Sequence, residues 1–234
     1  MARPRPADRF AALLDAGLTV FASKGLQGAR MSDVAQVMGV SPGTLYNYVQ
    51  SKEALFFLLL EHGLAPEPPD LPETLPVVDP PREELFSRLA EQVETHNQMP
   101  RLWAALDTPE VDDAVAELRD ITAELYDLNA ANRRWIDLLE RSSEDLPEVA
   151  RLFLVDVRQV LFDQLTRYFR QRMERHQLAA LVTPVMAGRY VVELITTFTR
   201  RLPHDPDPKA LPLTPEAVRD SVVDLVGATF TPRT

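Results

Sequence analysis

Seven of the chain's twenty prolines fall within residues 66–81, and this run constrains the fold more than any other feature. Proline has no amide hydrogen for a helix and its ring clashes with the preceding turn, so no helix crosses the stretch. The chain therefore divides into a head, residues 1–50 with a linking helix over 51–64, and a body over 82–234, joined by an extended, polyproline-II-like and partly mobile connector over 65–81. On both sides of it the apolar residues recur at helical spacing. Phe10, Leu13, Leu14, Gly17 and Phe21 predict a helix over 7–24, with Gly25 as its left-handed stop. Further helices are expected over 31–38, 42–49 and 52–63, because Ser41 and Ser51 are good N-caps and Pro42 fits a first helical position. In the body the pattern predicts helices over 82–98, 100–107, 111–141, 147–176, 183–202 and 215–230. No sustained alternating run lies between hairpin turns, so the expected class is all-α.

Composition narrows the chemistry. The absence of cysteine removes disulfide scaffolds, zinc fingers and thiol nucleophiles together. The longest apolar run, 54–60, is far short of the ~20 residues of a membrane span, so no membrane partner and a cytoplasmic location are expected. The net charge of -10, taken alone, argues against nucleic acid, yet it is unevenly spread. Residues 1–52 hold six basic and three acidic side chains, and the remaining -13 falls on 53–234. A basic head on an acidic body points to nucleic acid at the head.

The head carries the informative motif, residues 31–55. Two short helices joined by Gly39, Val40 and Ser41 form a helix-turn-helix, whose second helix can enter a major groove ~12 Å wide. Val34, Ala35, Val40, Leu45 and Val49 supply a small core with Leu14 and Phe21. Pro42, Gly43, Thr44, Tyr46, Asn47 and Tyr48 are expected outside, where hydroxyl and amide groups reach phosphates or base edges. The stretches 21–25, Asp33 to Ala35, Gly39 to Ser41, Gly43 to Tyr46, Tyr48 and 51–55 closely resemble those of the tetracycline-repressor (TetR) family of bacterial transcriptional regulators. The resemblance covers residues 7–60. It implies phosphate contacts from Thr44, Tyr46, Tyr48 and Lys52, a groove-facing segment from Ser41 to Asn47, and a C-terminal helical bundle that dimerises and binds a small effector. Arg30 stands where the family usually places a capping threonine and is itself a candidate for phosphate.

In the body, Trp103, Tyr126, Trp135, Asp156 and Arg158 are candidate effector contacts, beside their plainer roles as core or surface residues. The aromatic rings favour a small, mainly apolar ligand. The resemblance places a dimer seam on the last two helices, where Val185, Met186, Val192, Val222, Val223 and Val226 supply apolar area and Arg189 and Glu193 can pair one turn apart. The four histidines are scattered and no phosphate-binding glycine loop exists, so no metal, cofactor or enzymatic activity is expected. The resulting expectation is a homodimeric, ligand-responsive repressor that binds double-stranded DNA at a palindromic operator. The competing one is an effector-binding or protein-interaction module with a vestigial head.

Overall fold

The computed structural model describes residues 6–63, 69–81, 84, 87, 88, 90, 91, 95, 98–143, 145–151, 155, 157–201 and 213–232, with the backbone alone at 6, 149, 150 and 201. Among them there is no strand, only an isolated parallel bridge between Val49 and Val77. The chain forms two compact units, residues 1–97 with 134–157, and residues 98–133 with 158–234. Residues 134–157, part of the body by the proline boundary, thus join the unit of the head.

In the first unit, α1 is Pro6–Gly28, α2 Met31–Met38, α3 Pro42–Leu45 and α4 Lys52–His62. The expected stop at Gly25 is a kink: its φ is 69°, and the helix resumes for a last turn, with the Ala29 amide donating to the Gly25 carbonyl at 3.1 Å. Helix α4 starts as expected, the Ala54 amide donating to Ser51 Oγ at 2.8 Å. Helix α7, Arg133–Ser142, and the single turn α8, Pro147–Ala150, follow later in the chain. Trp135, Leu138 and Leu139 of α7 are buried with Phe10, Leu13, Phe21, Leu55 and Phe56 in one apolar core. The Trp135 indole donates to the Leu60 carbonyl at 3.1 Å. Arg134 donates to the Asp15 carboxylate and carbonyl, both at 2.7 Å, and to Thr19 Oγ1 at 2.6 Å.

The second unit contains α5, Pro100–Asp107, α6, Ala114–Ala131, α9, Arg158–Glu174, and α10, Pro184–Thr196, which continues as a π-helical turn, Thr197–Arg201; α11 is Pro215–Phe230. Helix α9 lies along α10 and α6 along α11, around a core that includes Leu118, Ile121, Leu165, Phe169, Val191 and Phe230. The single helix expected over 111–141 is broken. Asn132 leaves helical geometry at φ -98° and ψ 7°, and its side-chain amide donates to the Leu128 carbonyl at 3.0 Å, the local competition with the main chain for which asparagine is known.

Candidate nucleic-acid interface

The turn between α2 and α3 is built by its glycine. Gly39 adopts φ 65° and ψ 33°, a left-handed conformation that a Cβ disfavours by roughly 1–2 kcal/mol. The chain reverses there, with the Val40 amide donating to the Ala35 carbonyl at 3.0 Å. Val34, Ala35, Leu45 and Val49 are buried beneath the two helices with Leu14 and Phe21, as the small-core argument expects, while Val40 is half-buried. At the start of α2 the Arg30 amide donates to Asp33 Oδ2 at 3.2 Å, and that carboxylate also meets Lys24 Nζ at 2.8 Å. Lys24 holds the Asp33 carboxyl below its ordinary range.

This floor leaves a polar outer face. Arg30, Ser41, Pro42, Gly43, Tyr46 and Asn47 are exposed and Thr44 is half-buried; Tyr46 keeps 47% of its surface open. Pro42 opens α3 as expected, but Ser41 makes no side-chain cap bond, because its hydroxyl hydrogen-bonds that of Thr44 at 3.0 Å instead. One further expectation, that Tyr48 lies outside, is corrected. Tyr48 is only 8% exposed, its ring 6.3 Å from that of Phe10, because it follows the buried Leu45 by three residues and so falls on the inner side of the segment; the helix expected to reach residue 49 ends at Leu45. Lys52 is half-buried and its Nζ donates to the Leu26 carbonyl at 2.8 Å, so it ties the end of α1 to the start of α4.

The described part of the connector, 69–81, is not a free arm. The Val77 amide donates to the Tyr48 carbonyl and the Val77 carbonyl accepts from the Gln50 amide, both at 2.8 Å. The Ser51 hydroxyl donates to Asp79 at 2.5 Å, and Leu71 and Val77 are partly buried against the head core.

The effector candidates fall in both units. Trp103, Tyr126 and Arg158 belong to the second unit and Trp135 to the first, while Asp156 lies outside the described residues. The Trp103 indole donates to Gln164 Oε1 at 3.3 Å. Burial pushes the Tyr126 hydroxyl above its ordinary pKa. Arg158 pairs with Glu193 at 3.0 Å, and the intrahelical pair of Arg189 with Glu193 is present at 3.2 Å. A cavity of about 510 Å³ opens in the first unit, lined in part by Leu14, Leu18, Leu58, Leu59, His62 and Arg134. Burial lowers the pKa of His62, against the neighbouring Glu61, which raises it.

Of the seam residues, Val185, Met186 and Arg189 are exposed and Glu193 and Val223 half-buried. Val192, Val222 and Val226 instead fill the core of their own chain, since α10 and α11 turn those valines toward α9 and α6. A seam on this face has to use the outward residues. The buried Arg172 was not anticipated: it is fully covered, bonded to both Glu117 carboxylate oxygens at 2.8 and 2.9 Å and to the carbonyls of Ala105, Thr108 and Pro109. The signal was in the spacing, since Arg172 shares the stripe of Leu165, Tyr168, Phe169 and Met173. Among the described residues no group of three or more His, Asp or Glu side chains is placed to hold a metal ion, and no helix is long and apolar enough to cross a membrane.

Residues 13–59 match the family described as bacterial regulatory proteins, tetR family. The whole fold is similar to that of a tetR-family bacterial regulatory protein from Rhodococcus RHA1, at 18% identity over 96% of this chain and 97% of that one, with a TM-score of 0.56. It is also similar to the TetR-family regulator PfmR from Thermus thermophilus, at 21% identity over 92% and 97% of the two chains and a TM-score of 0.53. A third similar structure is AibR in complex with isovaleryl coenzyme A and operator DNA, at 19% identity over 96% and 100% and a TM-score of 0.53. No curated protein matches the chain.

Proposed function

We propose that this chain, whose residues 13–59 match the tetR family of bacterial regulatory proteins, is a homodimeric, ligand-responsive repressor that reads a palindromic operator with the face from Ser41 to Asn47. The observation that carries this reading is that face itself: the Ser41 hydroxyl, the Tyr46 phenol and the Asn47 amide stand exposed at the two ends of a one-turn helix whose underside, at Leu45, is wholly buried. Arg30, Ser41, Thr44 and Tyr46 are assigned to phosphates, and Asn47 to a base edge, the division of labour that separates affinity from sequence preference. Tyr48 and Lys52 contribute mainly by holding the head together, with the remaining donors of the Lys52 ammonium turned to the DNA backbone.

Two recognition helices must lie ~34–36 Å apart to meet successive major grooves, and an effector controls binding only through unequal affinity for states that differ in this spacing. The effector is proposed to be small and mainly apolar. Trp103, Tyr126 and Arg158 stay candidates for its contacts. The leucine-lined cavity of about 510 Å³ supports an apolar ligand as well, being within the ~300–1,000 Å³ range of small-molecule sites. The complex of AibR with isovaleryl coenzyme A and operator DNA supports a fold that serves both partners. The two-fold partner is proposed to dock at Val185, Met186 and Val223. Regulation of transcription in the cytoplasm, with no catalysis, completes the reading.

The test is enrichment of duplexes from a random library by the native chain, followed by gel shifts on the enriched and a scrambled duplex. A two-fold symmetric consensus bound in preference to the scrambled sequence is expected. Absence of any enriched sequence favours the vestigial head.

A further inference from the structure

Helix α3 comprises only Pro42–Leu45, a single turn, which has no stability of its own because helix nucleation is unfavourable. Its direction depends on what holds its ends. At the start the Gly39 turn does so. Beyond Leu45 the chain runs through turns, where the Tyr48 carbonyl and the Gln50 amide point out of any helix. Both are taken by one residue of the connector, Val77, at 2.8 Å each. Leu71 and Val77 bury apolar surface on the same core as Val49, and Asp79 accepts from Ser51, the residue that caps α4. Pro72, Pro76, Pro80 and Pro81 fix φ through this stretch, so little backbone freedom is lost when it docks.

We propose that residues 71–79 are a positioning strap for the DNA-reading helix: Val77 and Asp79 set the angle between α3 and α4 without touching DNA, and so set the selectivity of the head. The proposal rests on the DNA-binding reading above. It makes the proline-rich segment part of the reading machinery instead of a spacer, and any event that lifts the strap changes operator choice at a distance from the groove.

The experiment uses the full chain and a duplex enriched by the native protein, with a scrambled duplex beside it, on the native chain, Val77→Pro, Asp79→Ala and Asp79→Asn. Val77→Pro removes the amide that serves Tyr48. It is expected to weaken the enriched duplex on the order of tenfold, the scale of one mismatched base pair, while affinity for the scrambled duplex changes less than about twofold, because phosphate contacts are untouched. Asp79→Ala acts in the same direction, and Asp79→Asn restores selectivity, since its amide oxygen still accepts from Ser51. Hydrogen exchange gives a readout that needs neither DNA nor a variant that folds: the Gln50 amide of the native chain is expected to exchange slowly although it lies outside any helix, because it donates to the Val77 carbonyl. Fast exchange at Gln50, or variants that keep the native selectivity, overturns the strap alone. Tighter binding of both duplexes by Asp79→Ala and Asp79→Asn alike also overturns it, as Asp79 would then act by charge. A native chain that enriches no duplex overturns the DNA reading and the strap with it, whatever Gln50 does.

Discussion

Asn47 and Arg172 mark the two extremes of what single residues do in this chain. Asn47 is exposed, so Asn47→Ala is expected to leave the melting temperature unchanged and to cost about 1–3 kcal/mol on the preferred duplex, mainly as lost sequence preference. Arg172 is wholly covered and pairs with Glu117. Removing it strands a carboxylate, so Arg172→Leu is expected to lower stability by about 3–5 kcal/mol, whereas the double change with Glu117→Leu costs less, a coupling that a denaturation cycle measures. His62 gives a pH dependence. Its folded pKa lies below the ordinary 6.5, so the unfolded chain binds the proton more readily, and stability falls as pH drops through 6.5 until the folded imidazole also titrates. His62→Gln should flatten that part of a stability-against-pH curve. At this scale the sequence was legible where a residue sits in a motif, as with Gly39, Pro42 and Asn47. It was not where a neighbour far along the chain decides: the Leu26 carbonyl that takes Lys52 and the Phe10 ring that takes Tyr48 have no local signature.

Helix starts were more legible than helix ends. Ser51, Asp113, Thr183 and Thr214 each accept from a main-chain amide at the start of their helices, as short polar side chains do, and proline follows two of them at the first helical position. Endings depend on competition that periodicity does not register. Asn132 interrupts an apolar pattern that runs on through it, and beyond Leu45 the amides of Asn47 and Tyr48 close tighter three-residue turns onto Thr44 and Leu45 while the Tyr48 carbonyl is taken by Val77 of the connector. The turn between α2 and α3 is the element whose geometry the interface depends on most. Gly39 meets no atom within 4 Å of an added Cβ, so Gly39→Ala adds no clash and its whole cost is the positive φ, roughly 1–2 kcal/mol. Thermal melting of that variant is expected to show the loss, with DNA affinity falling alongside as the turn opens.

At the scale of the molecule the compact units do not divide at the proline run, since the first runs through it to residue 97. Residues 134–157 belong with the head, because Trp135, Leu138, Leu139 and Leu146 complete its core, and helical spacing cannot tell which core a helix will join. The proposed seam met the same limit: the resemblance placed it on the last two helices, and only packing distinguishes Val192, buried, from Val185 and Met186, exposed. Val185→Glu with Met186→Glu is therefore expected to yield monomers by light scattering with the melting temperature nearly unchanged, whereas Val192→Glu should unfold the chain. The central claim is that an acidic protein reads DNA through one exposed face of its head. It is tested most directly by measuring the affinity of the native chain and Asn47→Ala for an enriched and a scrambled duplex across a salt series. The account predicts that the native chain prefers the enriched duplex, that log K falls steeply with log salt on both, and that Asn47→Ala loses the preference while keeping the salt slope. Equal affinity of the native chain for both duplexes, or an Asn47→Ala variant with the native preference intact, would contradict it.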